Sequence, residues 1–113
     1  MQDQRLDLAE ISSDMAHLRA WTLDADMQSI LKAWEFDSFK TAMAFFASVG
    51  ELAEAHDHHP ELLSNYKTMR VKLWTHTVHG LTRKDFELAM AIDKLVEKSF
   101  VQRLQQQSST DQG

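Results

Sequence analysis

The chain has 113 residues, 43% hydrophobic and 26% charged, enough for one core and too few for two comfortable domains. Twelve basic against seventeen acidic side chains leave a formal charge of -5, which argues against direct nucleic-acid binding, and the absence of cysteine removes disulfides, thiolate metal sites and thiol nucleophiles together. No run approaches the roughly 20 apolar residues of a membrane span, and Asp3, Asp7, Glu10 and Asp14 stand where a secretory signal would be basic and then apolar, so a soluble, cytoplasmic protein with no membrane partner is expected.

Leu8, Ile11, Met15 and Leu18 recur in steps of three or four and predict a short helix between Leu6 and Leu18, capped by Asp7. Trp21 and Leu23 alternate with polar neighbours, Asp24 to Met27 read as a turn, and Ile30, Lys32, Trp34 and Phe36 fall on one side of an extended segment; together they predict a hairpin. From Ser38 to Ala55 a helix is expected with Phe39, Met43, Phe46, Val49, Gly50 and Ala53 on its core-facing stripe. Phe45 and Leu52 widen that apolar surface beyond what one sheet needs, which predicts a further apolar partner such as a second subunit.

Pro60 disfavours helical dihedrals at His59, so the helix ends earlier and leaves His58 and His59 in a loop. Met69, Val71, Leu73 and Thr75 alternate with Arg70, Lys72 and Trp74, the period of a strand with one face on a core. A shorter extended piece over Leu62 to Tyr66 pairs with it or with a neighbour, and Tyr66 is read as a packing residue. Gly80 breaks the chain, Thr82 and Asp85 have the spacing of a capping box, and a last helix turns Phe86, Ala89, Met90, Val96 and Phe100 inward. The expectation is one domain over 1-104 and a disordered polar tail over 105-113. Its class is α+β: two layers, an antiparallel sheet of about four strands with helices packed on one face, and an additional N-terminal helix.

Five of the six histidines, His56, His58, His59, His76 and His79, lie within 24 residues. Clustered imidazoles serve metal binding or proton transfer. A metal site would draw on His56, Asp57, His58 and His59, a set suited to zinc, nickel or copper. Against it, adjacent side chains such as His58 and His59 diverge to opposite sides of extended backbone. Proton transfer asks only that two imidazoles flank one substrate, and an ordinary imidazole pKa of about 6.5 suits both donation and acceptance near neutral pH. His17, His56 and His79 are read as polar decoration.

The other three histidines belong to a spaced pattern: Glu54, three residues, His58-His59-Pro60, five residues, Tyr66, nine residues, His76, eight residues, Asp85. This pattern resembles the signature of the pterin-4a-carbinolamine dehydratases. The likeness runs from Trp21 to Ile92, through the Ile30 to Phe36 segment, Phe39, Phe46 and Ala53-Glu54 upstream, and through Gly80-Leu81-Thr82 and Asp85-Phe86 downstream. It implies an enzyme that removes water from a 4a-hydroxytetrahydropterin, the form left when an aromatic amino acid hydroxylase has used its pterin, to give quinonoid dihydropterin without metal or organic cofactor. By the same resemblance His58 and His76 match the acid/base residues and His59 the histidine that holds substrate. Glu54 and Asp57 match acidic residues beside the pair, and Thr75 and Asp85 match positions bordering the pocket. A homotetramer or homodimer is also implied. Because animal members of the family serve as dimerisation cofactors for a homeodomain transcription factor, the alternative is a non-catalytic interaction module. Retention of all three histidines favours the enzyme.

Loss of hydroxide from C4a requires a proton on the departing oxygen while the N5 lone pair pushes, and N5 must then lose its proton; one acid and one base suffice. A carboxylate beside an imidazole fixes its tautomer and favours its charged form, the part expected of Asp57 or Glu54 toward His58. Two positions depart from the family pattern. Leu62 stands where an aromatic residue is common, and Trp74 stands where serine or threonine precedes the Thr-His pair. A Trp74 ring facing the pocket would restore aromatic surface, and the strand alternation equally allows the opposite face.

Overall fold

A computed structural model describes residues 4–105. Its elements are α1 (Leu8–Met15), β1 (Thr22–Leu23), β2 (Ile30–Glu35), α2 (Phe39–Ala55), β3 (Glu61–Asn65), β4 (Thr68–Leu73) and α3 (Arg83–Leu95), which runs on into a π-helical turn over Val96–Phe100. The strands form one antiparallel sheet in the order β1-β2-β4-β3. Opposite Ile30, Lys32 and Trp34 in β2 stand Leu73, Val71 and Met69 in β4, so the period-two pattern of both strands puts one apolar face toward the helices. Ala33, Glu35 and Arg70 are exposed on the other face. The molecule is thus an α+β layer pair with helices on one side of a four-stranded sheet and an additional N-terminal helix, as the sequence predicts.

The predicted cap at Asp7 and the predicted capping box at Thr82 are both present. Asp7 and Glu10 exchange side-chain and backbone hydrogen bonds at the start of α1, and Thr82 and Asp85 do the same at α3. Leu6 and Ile11, at the positions of a hydrophobic staple around the Asp7 cap, are both buried. The Leu6 N–H also donates to the Leu81 carbonyl at 2.8 Å, which ties the N-terminal arm to the turn before α3. Leu8, expected inward, is therefore displaced to the surface and is exposed.

The rotation of α2 differs from expectation. Thr41, Ala42, Phe45, Val49 and Ala53 are buried, whereas Phe39 is 50% exposed and Phe46 37% exposed. Phe45 is the hub of the core, with its ring centroid 4.9 Å from that of Phe36, 5.0 Å from Trp34 and 5.3 Å from Phe100. Leu52 is half-buried and packs on the same cluster. The start of the helix fixes this rotation: Ser38 accepts the Thr41 N–H at 3.1 Å, and Arg103 donates to Asp37 at 2.9 Å and to the Thr41 hydroxyl at 3.2 Å. The Thr41 hydroxyl and then Arg103 hold the Asp37 carboxyl below the usual carboxylate range.

Two further side chains move outward. The buried stripe of α3 is centred on Asp85, Leu88, Ala89 and Ile92, which turns Met90 to the surface. Tyr66, read as packing, is 67% exposed, because it opens the tight β3–β4 turn with a positive φ of 56°. Gln105 donates its N–H to the Glu35 carbonyl at 2.8 Å, and the rest of the predicted tail, 106-113, lies outside the described residues. Among the described residues no helix is long and apolar enough to cross a membrane.

Candidate active site

The histidine loop begins as a helix terminus. His56 is the C-cap of α2, Asp57 follows with φ 50°, and the chain reverses through two hydrogen bonds, Asp57 N–H to the Glu54 carbonyl at 3.1 Å and His58 N–H to the Ala53 carbonyl at 3.0 Å. This pair of bonds is a Schellman motif, with Asp57 in the left-handed position that glycine usually fills. The reversal turns His58 back toward the core. Pro60 then leads the chain into β3.

The second half of the site comes from the end of β4. Thr75 pairs with Gly80 across a short loop, its N–H donating to the Gly80 carbonyl at 2.8 Å, and a single 3-10 turn over His76–Val78 fills the interval. His79 closes that turn in the left-handed conformation, φ 53°. Leu81 and Thr82 follow at once and start α3.

Asp85 lies fully buried where these segments meet. Its Oδ1 is 2.6 Å from His58 Nε2, and its Oδ2 accepts the Thr75 hydroxyl at 2.8 Å and the Thr82 N–H at 3.0 Å. The Thr75 proton is committed to Asp85, so the Thr82 hydroxyl, 2.8 Å away, donates to Thr75 Oγ1. A carboxylate only accepts, so the short contact to His58 requires the proton on Nε2. The partner of His58 is therefore Asp85, neither Asp57 nor Glu54. Glu54 instead meets His59, at 2.7 Å, with both side chains largely exposed. The two adjacent histidines do diverge, one inward to Asp85 and one outward to Glu54.

A cleft of about 230 Å³ opens over these groups, lined by His58, His59 and His76 with Asp57, Thr75, Thr77 and Lys84. Asp85 stands behind His58 rather than in the cleft, and Glu54 stands outside it beside His59. Lys84 and Thr77 line the cleft without any sequence signal that marks them. Lys84 reaches the cleft because it sits in the first turn of α3, where its Nζ donates to the Asp57 carbonyl at 3.2 Å; nothing local in sequence links those two residues. Larger hollows of about 310, 460, 580 and 660 Å³ lie elsewhere on the described surface, and the one imidazole that lines any of them is that of His17, so volume does not mark the chemistry. Among the described residues no group of three or more His, Cys, Asp or Glu side chains is placed to hold a metal ion.

The two departures from the family pattern fall outside the cleft lining. Leu62 packs against the hydrophobic core. Trp74 takes the outer side of the strand and lies against His76, ring centroids 4.5 Å apart.

The family model described as Pterin 4 alpha carbinolamine dehydratase matches residues 4–95. A relative from Chlorobium luteolum is 38% identical over 95 residues, covering 80% of this chain and 83% of its own length. Another from Rhizobium rhizogenes is 40% identical over 94 residues, covering 83% and 93%. Both carry the name "Putative pterin-4-alpha-carbinolamine dehydratase". Among solved structures, the transcriptional coactivator/pterin dehydratase from Brucella melitensis is similar with a TM-score of 0.78 and 30% identity, over 81% of this chain and 98% of that one. A pterin dehydratase-like protein identified as a RuBisCO assembly factor in the alpha-carboxysome shares the fold, with a TM-score of 0.61 and 20% identity over 74% of this chain and 96% of that one. The family match spans all four strands, α2, the histidine loop and α3, and so the chain belongs to the pterin-4-alpha-carbinolamine dehydratase family, whose name is that of a hydro-lyase.

Proposed function

We propose that the protein dehydrates 4a-hydroxytetrahydrobiopterin to quinonoid dihydropterin in the cytoplasm, returning the pterin to an aromatic amino acid hydroxylase. The observation that carries this reading is the His58–Asp85 pair beneath a cleft shared with His59 and His76, in a chain of this family. With Nε2 committed to Asp85, His58 offers Nδ1 to a ligand, and in the neutral ring that nitrogen holds the lone pair. His58 is then the base and His76 the acid. The C4a–O bond breaks with its electrons on oxygen, which takes a proton from His76 and leaves as water. The N5 lone pair becomes the second bond to C4a, and the N5 proton passes to Nδ1 of His58. No oxidation state changes overall, and a proton returned through solvent from His58 to His76 completes the cycle.

The remaining residues support these two. Thr75 and Asp85 orient His58, Glu54 orients His59, and His59 with Asp57 holds the substrate. We also propose that the chain works as a homodimer or homotetramer. A second reading, a non-catalytic interaction module, is favoured by the name of the similar Brucella melitensis protein, which joins coactivator to dehydratase.

Following the decay of chemically generated 4a-hydroxytetrahydropterin tests the proposal. The protein should accelerate the decay, and H58A and H76A should each lower kcat/KM by about 10²- to 10⁴-fold, the usual contribution of a positioned acid or base. H59A should raise KM more than it lowers kcat. Decay no faster than in buffer would leave the interaction module as the reading.

A further inference from the structure

Asp24, Lys72, Trp74 and His76 form a stack along the outer side of β4 that ends at the cleft. Lys72 Nζ is 3.3 Å from the Asp24 carboxylate and 5.7 Å from the centroid of the Trp74 ring, and the Trp74 ring lies 4.5 Å from that of His76 at a tilt of 47°. Alternation explains the line. Leu73 and Thr75 point inward and are buried, so Lys72, Trp74 and His76 share the other side of the chain. Asp24 is itself tied down in the β1–β2 turn, where the Ala25 N–H and then Lys72 hold its carboxyl below the usual range.

His58 and His76 are therefore held by different means. Asp85 fixes the ring of His58 from behind, whereas His76 is exposed and starts a 3-10 turn. An exposed imidazole has several rotamers open to it, and each has a different reach into the cleft. An indole 4.5 Å away on the outer side of the strand takes up the space that outward-swinging rotamers of His76 need, and the lysine beside the indole restrains the indole in turn.

We propose that Trp74 is a positioning residue for His76, holding its imidazole over the cleft from the outer side of β4. This rests on the reading of His76 as the acid. Trp74 has no place in the cleft lining, so its influence passes through His76 rather than through contact with the pterin.

The test is a double-mutant cycle on the dehydration rate. W74A should lower kcat about 10-fold, within the roughly 10²-fold that a 1 Å misplacement of a catalytic group can cost, with KM within about twofold, and W74F should recover most of the rate. In an H76A background W74A should change nothing, a result that a merely structural role would not give. W74A leaving kcat unaltered, lowering the rate equally in the H76A background, or raising KM alone overturns the proposal. H76A at the wild-type rate overturns the acid assignment and this proposal with it, whereas a slow H76A beside a fast W74A overturns this proposal alone. If W74A does not fold, K72M replaces it: a smaller kcat loss confined to the His76 background is expected, and the wild-type kcat overturns the idea.

Discussion

Asp85 carries two demands at once, as the third residue of the α3 capping box and as the acceptor behind His58. Its Oδ2 faces two donors, the Thr75 hydroxyl and the Thr82 N–H, and its Oδ1 faces a third on His58. An asparagine has a single acceptor oxygen. In D85N that oxygen satisfies the most bonds by facing Thr75 and Thr82, which puts the amide NH₂ against His58 Nε2 and forces the imidazole proton onto Nδ1. The ring is then in place and in the wrong tautomer, the fault that costs a serine protease about 10⁴-fold when its buried aspartate becomes asparagine. D85N is accordingly expected to lose about 10²-fold or more in kcat/KM with its fold kept, and ¹⁵N NMR of His58 should report the exchanged tautomer. An unchanged rate would show that the carboxylate serves the helix alone. D85A, by contrast, leaves buried donors without an acceptor and is expected to lose roughly 1–3 kcal/mol of stability as well.

At the scale of elements, the pieces legible in the sequence are those whose signal is local. The cap at Asp7, the capping box at Thr82, the alternation of β4 and the stop before Pro60 each depend on residues a few positions apart, and each is where the sequence places it. The rotation of α2 depends on distant residues. Phe39 with Phe46 and Ala42 with Phe45 are both helical stripes sharing Val49 and Ala53, and the choice is made by the aromatic niche of Trp34, Phe36 and Phe100 and by the clamp of Arg103 on Asp37. The same holds in the site: the three histidines are visible as a spaced pattern, but the partner of His58 lies 27 residues on, and only the fold chooses Asp85 over the neighbouring Asp57. The Arg103 clamp gives a pH test. The folded-state pKa of Asp37 lies below its unfolded value, so its contribution to stability is fully present above the unfolded pKa and is lost as pH falls through the folded one. Urea midpoints measured from neutral pH downward should therefore fall less steeply in D37N than in the parent protein, and parallel profiles would remove Asp37 from the account.

At the scale of the whole molecule, the rotation of α2 relocates its surplus apolar surface. Phe45 and Leu52, which the sequence leaves over, belong to the core, and Phe39 and Phe46 face outward instead. Phe39 stacks on exposed Tyr66 with centroids 6.4 Å apart, and Leu63, 51% exposed, lies on β3, the edge strand beside that turn. An apolar helix face next to a strand edge that is unpaired among the described residues is a surface that water disfavours and a second copy can cover. Each such side chain contributes up to about 1.5–3 kcal/mol when fully buried, so a symmetric pairing that covers several of them on both subunits offsets much of the cost of association. Sedimentation at micromolar concentration should therefore show a dimer or tetramer, and the double change F39E/F46E should lower the mass while far-UV circular dichroism stays close to that of the parent, because Ala42, Phe45 and Val49 keep the inner face. L52E strikes the core side of the same helix and should instead lower the unfolding midpoint. A monomer for the unaltered chain, or an F39E/F46E assembly of undiminished mass, would place the association surface elsewhere or remove it.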